Sequence, residues 1–167
     1  DQGELPVKHE ATLTLPGGNW TVIIEDDELI SCRHGVSSHG LPEAPGNHPI
    51  LCALRAYAGG DLLALDEIPV AQPGGEFHAV VREVMRRIPP GCTVSYSELA
   101  AMAGRPAAAR AAAGACARNQ VAVVIPCHRV IRGDGGLGGY AYGLGVKETL
   151  LAFEREHAGK RSGCGGF

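Results

Sequence analysis

Between Ser95 and Arg118 the chain spells out two helices and the turn between them. Ser95 and Glu98 have the S-x-x-E spacing of a capping box, in which each side chain satisfies a backbone N–H left unpaired at a helix start. Leu99, Ala100 and Ala103 continue a short apolar face, and Gly104 ends the helix. Pro106 suits the first turn of a second helix, and Ala107–Arg118 is a run of strong helix formers. Two helices joined by a short glycine-containing turn form a helix-turn-helix, whose second helix docks on DNA. Here that second helix is nearly all alanine, which allows close approach but offers few donors to base edges. Sequence-specific readout needs bidentate Arg, Asn or Gln contacts, and this helix supplies Arg110 and Arg118 and little else. An ordinary Ala-rich packing helix is the alternative that the segment alone leaves open.

Downstream, Ile125-Pro126-Cys127-His128-Arg129-Val130 places one of six cysteines beside a histidine and an arginine. A thiol reacts as its thiolate, and neighbouring cationic or histidine groups favour that form. In isolation a Cys-His pair more often marks a small buried core residue. A nucleophile beside a DNA-docking helix that reads no bases points instead to an enzyme that scans DNA for damage.

The stretch from Tyr96 through Arg110 and Asn119 to Cys127-His128-Arg129-Val130 resembles the O6-alkylguanine-DNA alkyltransferases. The resemblance continues through Gly138-Gly139-Tyr140 to Lys147-Glu148-Thr149-Leu150-Leu151-Ala152-Phe153-Glu154, covering about residues 75–156, with the first 70 matching only in outline. It implies a single-turnover repair protein that flips an alkylated guanine out of the duplex and takes the alkyl group on Cys127, with O4-alkylthymine as a further substrate. It further implies that His128 is the base acting through a water, that Glu154 orients it, and that Tyr140 donates toward the departing guanine. Asn119 braces the active-site loop in this reading, and as asparagine it tolerates a left-handed helix end. Arg110 is the finger that fills the gap in the base stack, and Tyr96 crowds a phosphate and lines the pocket. Arg118, Ala111, Gly114 and Arg129 complete the implied DNA-binding set, and Val130, Ala141 and Tyr142 the implied substrate pocket. Gln120 stands where the family usually has proline, so a looser turn is expected there. Tyr142 stands where some members have glycine, and Ala141 lacks a hydroxyl that some members carry. No cofactor and no metal is implied. The alternatives are a DNA-binding regulator, which would want base-reading side chains, a damage-recognition protein without transfer, which would lack the cysteine, and a cysteine hydrolase, which would need an oxyanion hole and turnover.

A net charge of −3 is unusual for a DNA binder, because phosphate contacts dominate affinity. The charge is unevenly spread, however. Residues 1–75 hold 3 Lys+Arg against 11 Asp+Glu, a net −8, whereas residues 76–167 hold 12 against 7, a net +5. The basic share lies with the two helices and Cys127, which points to nucleic acid. A chain of 167 residues with 45% apolar content suits one or two small domains. The expected class is α+β: an N-terminal β-sheet domain with a helix (1–73), then a mostly helical, winged-helix-like domain carrying the helix-turn-helix (74–167).

In the first half, Ala11–Leu15, Trp20–Ile24 and Leu29–Cys32 read as strands with a turn at Asp26-Asp27, and Ile50–Ala58 as a helix ended by Gly59-Gly60. Gln72-Pro73-Gly74-Gly75 is the expected linker. Phe77, Val80, Val81, Val84, Met85 and Ile88 then recur at helical spacing until Pro89-Pro90-Gly91. Cys32, His34, His39 and His48 fit no closed zinc spacing and are expected in a solvated loop. The cysteines, at 32, 52, 92, 116, 127 and 164, show no C-x-x-C pair. That favours a reduced protein acting in the cytoplasm or nucleus. No apolar run approaches the length of a membrane span, and a monomer on double-stranded DNA, away from membranes, is expected.

Overall fold

The computed structural model describes residues 7–158, so Cys164 lies outside the described residues. The chain opens with an antiparallel meander of β1 (Lys8–Leu15), β2 (Gly18–Glu25) and β3 (Glu28–His34). Trp20, Val22 and Ile24 alternate along β2 and are all buried, the period-two pattern of a strand with one face on a core. Asp26 and Asp27 both adopt positive φ, 51° and 64°, which is what a tight hairpin turn of right-handed twist demands. Helix α1 (Pro49–Ala58) begins with proline after His48, whose Nδ1 accepts from Ile50 N–H at 3.1 Å.

After a 3₁₀ turn at Leu62–Glu67 comes α2 (Glu76–Met85), which buries Val81, Val84 and Met85. Strand β4 (Val94–Ser95) runs into α3 (Tyr96–Met102), and α4 spans Ala109–Ala117. The capping box forms in both directions: Ser95 Oγ accepts from Glu98 N–H at 3.0 Å, and Glu98 Oε1 from Ser95 N–H at 2.8 Å. Gly104 turns the chain after α3 with φ 86°. Pro106 is not in the first turn of the next helix as expected. It sits in the connecting turn, and α4 starts only at Ala109. Helices α3 and α4 pack on each other, and Ala112 and Ala115 face inward. A parallel ladder joins β4 to β5 (Val130–Ile131), and α5 (Leu144–Ala158) closes the fold.

One apolar cluster runs through both halves, from Leu13 and Trp20 to Val130 and Leu150. The outer edge of β3 is where the halves join. Leu29 N–H donates to Pro69 O and Ala71 N–H to Leu29 O, at 2.8 and 3.1 Å; farther along, Cys32 N–H donates to Gln120 O and Ala122 N–H to Cys32 O, at 2.9 and 3.2 Å. An edge that would otherwise present unpaired backbone groups is thus covered by two later segments.

The expected solvated loop of cysteine and histidines holds for His39, which is exposed between β3 and α1, and is corrected by this packing at the other three positions. Cys32 is in the core, His34 packs edge-on against Trp20, and His48 caps α1 while contacting Asp27 at 2.9 Å. No cluster of metal-ligating side chains occurs among the described residues. Cys92 is disulfide-bonded, so the expectation of a fully reduced chain is not met at that position.

Candidate active site

The segment from Asn119 to Val130 is folded by short-range hydrogen bonds into a series of tight turns. Val123 takes φ 71°, and Val124 N–H reaches back to Ala122 O at 2.8 Å. A β-branched residue at positive φ is strained, and the surrounding structure must hold it there. Pro126, at φ −83° and ψ 65°, makes an inverse γ-turn closed by Cys127 N–H to Ile125 O at 2.8 Å. Proline's fixed φ suits that turn and aims the next residue, Cys127, off the 3₁₀ turn Cys127–Arg129.

Asn119 ties the loop together. Its Oδ1 accepts from Val121 N–H at 3.2 Å, and its Nδ2 donates to Ile125 O at 2.8 Å and Cys127 Sγ at 3.3 Å. The positive φ expected at Asn119 falls instead on Val123; the asparagine turns the chain through its side chain, as an Asx turn. The looser turn expected at Gln120 is also corrected. Its N–H donates to Gln72 Oε1 at 2.9 Å and its carbonyl accepts from Cys32. The expected linker is therefore pinned to the loop, with Gln72 Nε2 donating to Asn119 Oδ1 at 2.9 Å.

Behind Cys127 lies a fully buried polar cluster. His128 Nε2 meets Glu154 Oε2 at 2.8 Å, and Arg129 Nε and Nη2 donate to Glu154 Oε1 and Oε2 at 2.8 and 2.9 Å. Burial alone would push the Glu154 carboxyl up, but its attraction to His128 and the hydrogen bonds from Arg129 and His128 hold it well below the usual carboxylate range. Burial pushes His128 down against the opposing pull of Glu154. An ionised carboxylate only accepts hydrogen bonds, so a neutral His128 carries its proton on Nε2. Its Nδ1, which is buried and has no hydrogen-bond partner among the described residues, is then the basic nitrogen.

Arg129 is the clearest correction to the expected DNA-binding set. It is 4% exposed, grips Glu154 and donates to Ile88 O at 2.6 Å, so no face of it is left for a phosphate. Arg110 and Ala111 are exposed on α4, Arg118 is exposed at its C-cap, and Gly114 is half-buried.

Cys127 lies at a cavity of about 260 Å³ lined by Tyr96, Asn119, Tyr140, Ala141 and Tyr142, with Ala113, Cys116 and Ala117 of α4 on its wall. Val130, expected in the pocket, pairs with Val94 in the small ladder and is completely buried. Tyr140 Oη is buried without a partner, an unused donor in a wall of the cavity. Burial pushes both Tyr140 and Cys127 up; for Cys127 the Asn119 hydrogen bond and the charge of Lys147 act against it. Burial also raises the Cys116 thiol on the cavity wall, to about 12.

A family model described as 6-O-methylguanine DNA methyltransferase, DNA binding domain, matches residues 76–156. The structure superposes on Mycobacterium tuberculosis OGT in complex with DNA with a TM-score of 0.78 and 32% identity, covering 89% of this chain and 94% of that one. The chain belongs to the O6-methylguanine-DNA methyltransferase family. Among its relatives, the methylated-DNA–protein-cysteine methyltransferase of Mycolicibacterium paratuberculosis is 47% identical over 105 residues, 63% of each chain. The regulatory protein Ada of Salmonella typhimurium is 47% identical over 145 residues, 85% of this chain and 39% of that one. The matched region spans less than two thirds of the length of these curated relatives.

Three residues of this family member's site escaped the sequence reading. Tyr57 of α1 donates to Glu154 Oε2 at 2.6 Å, Gln72 holds Asn119, and Lys147 Nζ donates to Val130, Leu137 and Gly139 carbonyls at 2.7, 2.6 and 3.2 Å. A signal for Lys147 was present. Lys147, Leu150, Leu151 and Glu154 share one helical stripe, all of it buried, and charged residues on a core-facing stripe need partners.

Proposed function

We propose that this chain repairs alkylated DNA by moving the alkyl group from O6 of guanine, or O4 of thymine, onto Cys127 Sγ, once per molecule. The observation that carries the reading is a cysteine at a small apolar cavity, next to a neutral histidine held by an ionised Glu154–Arg129 pair. That arrangement supplies nucleophile, base and orienter.

Cys127 gives its proton through a bridging water to His128 Nδ1, and Glu154 steadies the imidazolium that results. The thiolate attacks the alkyl carbon in line; the S–C bond forms as the C–O bond breaks, and the bonding pair leaves with the purine. Tyr140 Oη donates to the purine as charge develops, and the proton lost from the thiol balances the one guanine gains. A thioether is not hydrolysed under mild conditions, so the protein is consumed. Access to the base falls to α3 and α4: Arg110 enters the stack where the nucleotide leaves, Tyr96 presses on the backbone, and Arg118 with the small residues Ala111 and Gly114 lets α4 lie close. Unstacking a base costs on the order of a few kcal/mol, which the inserted side chain offsets. No helix among the described residues is long and apolar enough to cross a membrane, and the proposed site of action is where DNA is, the cytoplasm or nucleus.

The test is intact mass after mixing with duplex DNA containing O6-methylguanine. One methyl group should be added per protein, on Cys127, and none to Cys127→Ser, which should still bind DNA. Repeated turnover, or transfer by the serine variant, contradicts the assignment.

A further inference from the structure

Gln72 belongs to the stretch that joins the two halves, yet its carboxamide is engaged at both ends. Nε2 donates to Asn119 Oδ1 at 2.9 Å and Oε1 accepts from Gln120 N–H at 2.9 Å. A primary amide presents donor and acceptor side by side, and here they meet an acceptor and a donor on consecutive residues. The backbone explains the meeting. Residues 69–71 and 120–122 follow one another along the same edge of β3, through Leu29 and Cys32.

The consequence reaches the sulfur. An asparagine amide has two ends, and only its nitrogen end can donate to a thiolate. Two donors, Gln72 Nε2 and Val121 N–H, converge on Asn119 Oδ1. The other end must therefore be the Nδ2 that donates to Ile125 O and to Cys127 Sγ at 3.3 Å. Turned around, the amide would present an oxygen to the sulfur and oppose its ionisation. We propose that Gln72 is a positioning residue for alkyl transfer: it fixes the Asn119 amide with Nδ2 toward Cys127, so the N-terminal half helps set the reactivity of the acceptor. This rests on Cys127 being the alkyl acceptor.

The test uses the full chain and two variants. Gln72→Met keeps length and removes both hydrogen bonds; Gln72→Glu keeps an acceptor for Gln120 N–H and removes the donor to Asn119. Both should slow transfer from O6-methylguanine DNA by about three- to tenfold, the range of one lost hydrogen bond. Both should also move the pH midpoint of iodoacetamide reaction at Cys127, followed by peptide mass, to higher pH. In an Asn119→Ala background, Gln72→Met should change the rate by less than about twofold, because residues acting through one another are not additive. A wild-type rate and midpoint in both variants overturns the proposal. So does an equal loss with and without Asn119, or a lowered melting temperature with the midpoint unmoved. The iodoacetamide measurement does not depend on DNA. A wild-type chain that takes no methyl group, but whose midpoint still moves in Gln72→Met, would refute the repair reading and leave the positioning role standing.

Discussion

Tyr57 Oη donates to Glu154 Oε2 at 2.6 Å, joining residues 97 apart in the sequence and from opposite halves of the fold. The same oxygen receives His128 Nε2 and Arg129 Nη2, so the carboxylate that orients the base is itself held from the N-terminal helix. Tyr57→Phe keeps the ring and removes only the donor. A hydrogen bond to a charged group contributes about 1.5–3 kcal/mol, and urea unfolding should show a loss in that range. Transfer should slow as well, because Glu154 is freer to move. Unchanged unfolding would mean that His128 and Arg129 satisfy the carboxylate unaided.

Arg110 and Arg129 should separate cleanly in DNA binding. Arg110→Ala should slow repair in duplex DNA much more than transfer from free O6-methylguanine, since its proposed role is on the stack; losing a stacking-type contact costs about 1–3 kcal/mol. Arg129→Ala should leave the salt dependence of DNA binding unchanged. It should instead lower stability by about 3–5 kcal/mol, because Glu154 is left buried without the guanidinium that pairs with it. A shallower salt slope in Arg129→Ala would return that residue to the DNA contact set.

Acid should unfold the protein through the Glu154–His128 pair. Burial works against the charged form of both, and partners overcome it only for Glu154. A carboxylate with a depressed pKa adds stability above its unfolded value of about 4.3, and that stability is lost as pH falls through the folded value. A buried histidine with a depressed pKa takes its proton more readily in the unfolded chain, so below about pH 6.5 acidification favours unfolding. Both run in one direction. Unfolding midpoints in urea should fall from about pH 6.5 downward and more steeply below about 4.3; a flat profile from pH 7 to 5 would show that His128 is not held neutral.

What the sequence revealed was what it encodes locally. The Ser95–Glu98 box, the strand at Trp20–Ile24 and the Asp26-Asp27 turn each depend on neighbours a few residues away, and each is present. Cys127, His128 and Glu154 emerged because their motif resembles a family, and the structure brings His128 and Glu154 into contact. Arg129 was placed in the DNA-binding set by the resemblance alone, and only the closure of α5 over the turn, which brings Glu154 to it, shows where it points. Tyr57 and Gln72 had no local signal at all. Their partners are set by how the β3 edge and α1 meet the second half, a long-range outcome that no short window contains. The start of the second helix was placed too early, because proline suits a connecting turn as well as a first helical turn: Pro106 lies in the connection and α4 opens at Ala109.

Tyr142 gives the prediction most particular to this chain. Its ring lines the cavity beside Tyr140, with centroids 5.5 Å apart, and is held edge-on by Trp20 at 5.5 Å. Packing from both sides leaves the phenol little freedom to swing away. A methyl adduct needs almost none of the space it occupies, whereas a benzyl group must seat a whole ring against that wall. Overpacking costs about 1–3 kcal/mol, or roughly fivefold to 150-fold in rate. O6-benzylguanine should therefore react slowly with the natural chain and markedly faster with Tyr142→Gly, while methyl transfer changes little. Rates for both substrates in both proteins decide the matter. Equal benzyl rates would show that the Trp20 contact yields and the ring moves aside.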